Sequence, residues 1–443
     1  MVVLVCICLV CAVTARRVQV YSVSNSYESS QGQPSKLVHP PIQDKTPGSD
    51  KVGEKVITGR SARALSWHQL AARIPVKESK SEPILTLFRD TNGWCPFCEQ
   101  VLLTLNYKEI PYKEVLIDLQ NMPQWYKDMV PTALVPAIKL HDSEDVVHNS
   151  YVIIEYLDEH FPDTVAVMDP WKKISVSLKR GFALTKAGSR FASGNRNASL
   201  PDVERANLKR VFVEALDDMN AALSAGGPFL TGHHMTAADI CIIPTMERFR
   251  HQMPLQGITV YNDRWPNIKR WFDAMDAEPA YAERVAGDQI SWTQVASMFA
   301  HSQSVGIIDS SLQLALEQAA ATAQTAAPPA PSAAVAAAHK LIANHVAVVA
   351  DACASDVESK SQRTLQRLPA SASGIVDHVL RNAAARLLGL EPDAVPSDNA
   401  AFAARAARFV ATRVCVPRDM GAPAAAALRQ ALFQEEADAQ ALL

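Results

Sequence analysis

Basic charge is not in excess in this chain. Lys and Arg number 43 against 46 Asp and Glu, a formal net charge of −3, which argues against a nucleic-acid partner because phosphate contacts need a Lys/Arg face. Long hydrophobic runs are missing too. The apolar stretch Val2–Val13 is too short to span a bilayer, and no other segment reads as apolar enough to cross one, so no stable membrane insertion is expected after processing. Cysteines are few and scattered. Cys6, Cys8 and Cys11 sit in the N-terminal apolar run, Cys241, Cys353 and Cys415 stand alone, and only Cys95 and Cys98 form a pair. That spacing excludes a disulfide scaffold. With no second C-x-x-C and no H-x3-5-H downstream, no metal site is expected.

What is present begins with apolar content. Of the 443 residues 48% are hydrophobic, enough for a sizeable core, and the length suits about two to four domains. Val2–Val13 has the character of a signal-peptide core, and the Ser-rich, acid-poor stretch from Arg16 and Arg17 reads as transit-like. Together they predict a plastid location, with the secretory pathway or the cytosol as alternatives. Residues 1–80 are read as this targeting segment and a flexible lead-in.

Residues 81–164 carry a β-α-β-α-β-β-α pattern. Pro83–Phe88 reads as a buried strand. Cys98, Val101, Leu102 and Leu105 share one helix face at i, i+3, i+4, i+7. Tyr112–Leu119 reads as a strand, and Ala137–Leu140 with Val146–His148 as a hairpin. Residues 165–300 are helical throughout. Thr236 and Asp239 have the spacing of a capping box, and Pro266 opens a helix whose stripe is Trp265, Ile268, Trp271, Phe272 and Met275. Residues 301–338 hold a low-complexity Ala/Pro tract, read as a linker. Residues 339–443 form a helical extension. His339, His345 and His378 within it lack the carboxylate spacings of a metal bundle.

The pair in "RDTNGWCPFCEQV" has a physical logic. Cys95 falls at the N-cap and Pro96 at N1, where the missing N–H costs nothing and φ is preset. The free first-turn N–H groups and the helix dipole point at the Cys95 sulfur and favour a thiolate. Cys98 lies one turn further in, within disulfide reach but shielded. Cys95 is therefore the candidate attacking thiol and Cys98 the candidate resolving thiol. Two buried structural cysteines are the plainer alternative.

With "WYKDMVPTALVPA" and "MTAADICIIPTMERF", this motif resembles the cysteine-type glutathione transferases from about Ile84 to about Val295. The likeness is greatest to the iota class and extends to the omega and dehydroascorbate-reductase classes. The resemblance implies a thioredoxin-like α/β domain followed by an all-α domain. It implies glutathione as co-substrate, a small electrophilic or disulfide substrate, and a possible homodimer. It also implies a cis Val135–Pro136 bond, so that the Val135 backbone pairs with the cysteinyl part of glutathione. Asn149 and Ser150 would bind the γ-glutamyl end at a helix N-terminus; otherwise they are simple caps. Asn149 stands where the family usually has Glu or Gln, and Met122 where omega proteins often carry Lys for the glycyl carboxylate. The expected activity is thiol transfer, or disulfide or dehydroascorbate reduction, through Cys95 and Cys98. The alternative is a non-catalytic ligand carrier or assembly protein on the same fold.

Overall fold

The computed structural model describes residues 65–75, 82–143, 145–224, 226–299, 305–353 and 367–443. The expected targeting segment lies outside them. A short helix, α1 (Trp67–Ala71), precedes the α/β unit: β1 (Leu85–Asp90), α2 (Pro96–Tyr107), β2 (Tyr112–Ile117), α3 (Gln124–Met129), β3 (Ala137–Leu140), β4 (Val146–His148) and α4 (Ser150–His160). Strand order is β2-β1-β3-β4. β2 runs parallel to β1, and β3 and β4 are antiparallel to their neighbours. This mixed sheet with helices on its faces is a thioredoxin-like domain. β1 is buried along nearly its whole length because it is central, paired on both edges and covered by α2.

The all-helical domain follows, with α5 (Trp171–Asn195), α6 (Asp202–Ala222), α7 (Ala237–Gln252), α8 (Pro266–Ala277), α9 (Pro279–Ala282) and α10 (Gln289–Phe299). It shares one apolar core with the sheet. Leu85, Val101 and Ile138 belong to the same cluster as Ile243, Trp271 and Met275. Asp239 fixes the start of α7. Its carboxylate accepts from Thr236 N at 3.0 Å, Leu230 N at 2.9 Å and the Trp271 indole at 2.8 Å.

The remaining helices are α11 (Val305–Thr325), α12 (Pro331–Ala352), α13 (Ser373–Leu387), α14 (Ala400–Arg413) and α15 (Ala422–Gln440). They have a core of their own, built largely from alanine, with Leu312, Leu316, Val376, Leu380, Val410 and Leu432 inside it. Three expectations are corrected here. The tract read as a linker is two helices, α11 and α12, with only residues 326–330 between them. Its alanines are strong helix formers, and Leu312, Leu316, Ala334 and Ala337 have a bundle to bury against. Pro331 sits at N1 of α12, where it starts a helix and breaks nothing. The flexible lead-in contains α1, closed by a capping box of Ser66 and Gln69. Trp67 docks it on the extension by donating to Asp377 at 2.8 Å and stacking on His345 at 4.1 Å. Finally, α12 has the length and apolar composition to cross a membrane, although Ala334, Ala338, Leu341 and Ile342 are buried in the helical bundle.

Candidate active site

The loop between β1 and α2 is held from several directions. Asp90, at the end of β1, accepts the Trp94 N–H at 2.8 Å through one carboxylate oxygen. Arg248 on α7 donates to the Trp94 carbonyl at 2.8 Å. The same guanidinium binds both oxygens of Glu99 at 2.9 Å and lies 4.2 Å over the Trp292 ring. Burial pushes the Glu99 carboxyl up to about 7, against the pull of Arg248. Neighbouring Glu247, also buried, is pushed up to about 8 by burial and by Glu99.

From the other side comes the segment between α14 and α15. Its Val416 N–H donates to Ser291 Oγ at 2.8 Å, and its Pro417 carbonyl accepts from Arg284 at 3.3 Å. Cys415 packs with Trp94, Trp292 and Val295. Gly93 has φ +67° and lies so close to this strap that a Cβ there would stand 2.9 Å from Arg418 Cα. Gly93→Ala should therefore destabilise the protein by about 2 kcal/mol or more, combining left-handed strain with a backbone clash. A thermal melt checks this. An unchanged Tm would mean that the strap does not rest on the loop.

On this scaffold Cys95 is the N-cap of α2, with φ −74°, ψ 113° and Pro96 following. Its half-buried thiol points at the Val135 carbonyl, 4.0 Å away. The Val135–Pro136 bond is cis. Tyr126 holds the preceding turn by donating to the Leu134 carbonyl at 2.7 Å. Pairing of Ala137 with His148 then sets Pro136 beside Asn149 across the sheet end. Asn149 is the N-cap of α4 at φ 74°, and its amide oxygen accepts from Tyr151 N and Val152 N at 3.1 and 3.4 Å. That leaves its NH2 group as what it can offer a ligand. Ser150 is buried at the first position of α4, where free N–H groups suit an anion. Met122 packs against a small apolar cluster around Phe88, Ile117 and Tyr126, so a lysine there would lose that packing.

Cys98 is 2% exposed. Burial pushes its thiol well above the ordinary cysteine value, and the adjacent Cys95 sulfur and Asp90 carboxylate add to the push. A carboxylate oxygen of Asp90 and the sulfurs of Cys95 and Cys98 all lie within 4.8 Å of one another. A tetrahedral metal ion would find one donor too few in this set, whereas thiol–disulfide exchange needs only the two sulfurs.

Sequence reasoning missed Asp90, Trp94, Glu99 and Arg248. The signal was present. Asp90 ends an apolar strand, and Glu247-Arg248 interrupts the apolar run of α7, where buried charges require partners.

Two family models match. The glutathione S-transferase N-terminal domain covers residues 94–160 and the glutathione S-transferase C-terminal domain residues 202–274. "Glutathione S-transferase DHAR2" of Arabidopsis thaliana is 34% identical over 158 residues, which is 35% of this chain and 68% of the relative. "Pyrimidodiazepine synthase" of Drosophila melanogaster is 30% identical over 220 residues, 48% of this chain and 84% of the relative. "Glutathione S-transferase DHAR3, chloroplastic" of Arabidopsis thaliana is 31% identical over 154 residues, 35% of this chain, and the match spans 54% of its length. With both halves matched, and with a cysteine at the helix start facing a cis-proline loop, the chain belongs to the glutathione transferase family, in its cysteine-type branch.

Proposed function

We propose that this protein is a glutathione-dependent thiol transferase or reductase. Cys95 attacks a disulfide, a glutathionyl mixed disulfide or dehydroascorbate, and Cys98 or a second glutathione releases it. The observation that carries the reading is the half-buried Cys95 thiol at the start of α2, facing the Val135 carbonyl. A peptide disulfide such as oxidised glutathione can pair its backbone with Val135 and present a sulfur to Cys95. Asn149 and Ser150 are the residues we assign to its γ-glutamyl end. Conjugation of glutathione to electrophiles is a poorer fit, since that chemistry keeps glutathione as a free thiolate and a cysteine forms a disulfide with it. The two Arabidopsis thaliana relatives are named as glutathione S-transferases, one of them as chloroplastic, which supports a glutathione-dependent activity and a plastid location here.

The test is intact mass after incubation with oxidised glutathione, with and without alkylation of free thiols. The wild-type protein should end with a Cys95–Cys98 disulfide and no adduct. Cys98→Ser should hold one glutathionyl group on Cys95 and still turn over slowly with excess glutathione. If neither protein changes mass, the carrier or assembly reading takes its place.

A further inference from the structure

Helix α5 is strongly basic in a chain that is not. Over its 25 residues it carries six Lys or Arg and no Asp or Glu, whereas the formal charge of the whole protein is −3. The helical period sorts these cations. Lys172, Lys179, Lys186 and Arg190 fall at i, i+7, i+14 and i+18, within about 40° of one another around the axis, and all four are exposed. At 1.5 Å of rise per residue the stripe is about 27 Å long. Ile174, Leu178, Gly181 and Gly188 form the opposite, buried face. Arg180 is paired with Asp218 on α6. Lys172, Lys179 and Arg190 form no ion pair among the described residues.

The buried face fixes where the stripe points. A Cβ at Gly181 would stand 1.8 Å from Ile242 Cδ1, and one at Gly188 would stand 2.3 Å from Phe249 Cε2. Helix α5 therefore lies directly against α7, with no room to roll about its axis. Its first turn also reaches the candidate glutathione site. The Trp171 ring lies 6.2 Å from the ring of Tyr151, the residue after Ser150. The row of cations thus starts beside the place assigned to the γ-glutamyl end. Trp171 and Val176, 50% and 57% exposed, add apolar surface at that end of the row.

We propose that this stripe docks the acidic surface of a protein that carries a glutathionyl mixed disulfide, and so selects glutathionylated acidic proteins as substrates. The proposal rests on the thiol-transfer reading of Cys95. A row of fixed cations raises the local concentration of an anionic partner and its rate of association. The glutathionyl group occupies the end near Asn149 and Ser150 while the carboxylates of its carrier lie along α5. A nucleic acid would meet the same charge but brings no sulfur to Cys95, and dehydroascorbate has no charge for the stripe to attract.

Two synthetic glutathionylated peptides test this on the full chain. In one, the cysteine stands between two runs of about eight glutamates, each run extended being about as long as the stripe. In the other, glutamines replace the glutamates. Release of the peptide thiol in the presence of excess glutathione is followed by chromatography. At low ionic strength kcat/KM for the acidic peptide should exceed that for the uncharged one on the order of tenfold. The ratio should shrink below about twofold near 1 M salt, where charges are screened within about 3 Å. Combining Lys172→Gln, Lys179→Gln and Arg190→Gln, all at exposed positions where glutamine keeps the helix, should bring the acidic peptide to within about twofold of the uncharged one. Equal wild-type rates for the two peptides overturn the proposal, as does a preference that survives the triple substitution. If the substitutions slow both peptides equally, the stripe serves glutathione itself and the proposal falls as well. Should neither peptide be processed while the fluorescein-labelled acidic peptide still binds, with a salt dependence lost in the triple variant, the thiol-transfer reading falls and the acidic docking surface stands.

Discussion

Cys95→Ser is expected to abolish thiol transfer and dehydroascorbate reduction, by on the order of 10³-fold or more, the scale seen when a covalent nucleophile is removed. A serine hydroxyl cannot form the mixed disulfide on which every later step depends. The substitution should leave the fold alone. Cys95 is only half-buried, and its thiol makes weak contacts, the 4.0 Å approach to the Val135 carbonyl and the neighbouring Cys98 sulfur. Serine is also a better N-cap than cysteine, since its oxygen accepts first-turn N–H groups. The informative result is therefore lost turnover with an unchanged or slightly raised Tm. Glutathione-coupled reduction of a small disulfide and of dehydroascorbate, run beside a thermal melt, gives both numbers. Wild-type rates in the variant would sink the proposed chemistry.

The second large effect is on stability. Arg248→Met should cost about 3–5 kcal/mol, the range for breaking a buried ion pair by removing one partner. Arg248 makes two bonds to Glu99 and one to the Trp94 carbonyl, and it also covers Trp292. Without it Glu99 is left buried among acidic neighbours, and Trp94 loses the anchor of its carbonyl. The loss should depend on pH. Burial already pushes the Glu99 carboxyl up to about 7, and removing Arg248 moves it further. A carboxyl whose pKa is raised in the folded state holds its proton there while the unfolded chain has released it. Stability then falls as pH rises from the ordinary carboxylate range through the folded value. The variant should be closest to wild type near pH 5 and furthest from it near pH 9. Denaturant melts at both pH values check the sign, and Arg248→Met with Glu99→Gln should recover part of the loss. A uniform loss at both pH values would mean that packing on Trp292, and not the ion pair, is what Arg248 contributes.

How the extension joins the rest bears on both results. Arg429 of α15 forms an ion pair with Asp288, at the start of α10. Arg284 donates to the Pro417 carbonyl, and Gly421 lies against the Glu283 carbonyl so closely that no side chain could fit. The helical extension is thus part of the wall behind Trp94.

The order of strands and helices around Cys95 and Cys98, the Thr236–Asp239 cap and the Trp stripe of α8 were all legible in the sequence. Each is set by neighbours within one or two turns: apolar period, a proline at N1, a hydroxyl three residues before a carboxylate. The cysteine pair at a strand-to-helix junction was legible for the same reason. The Ala/Pro tract misled because composition alone does not say whether a surface is at hand for alanine to bury against, and here α13 and α15 supply one. Partners far apart in the chain were decided only by the tertiary structure. Arg248 reaches Glu99 and Trp94, the strap meets Gly93, and Trp67 meets Asp377. A buried charge announces that it needs a partner, but Coulomb attraction and hydrogen bonding carry no record of sequence distance, and only the packed chain determines which partner it finds.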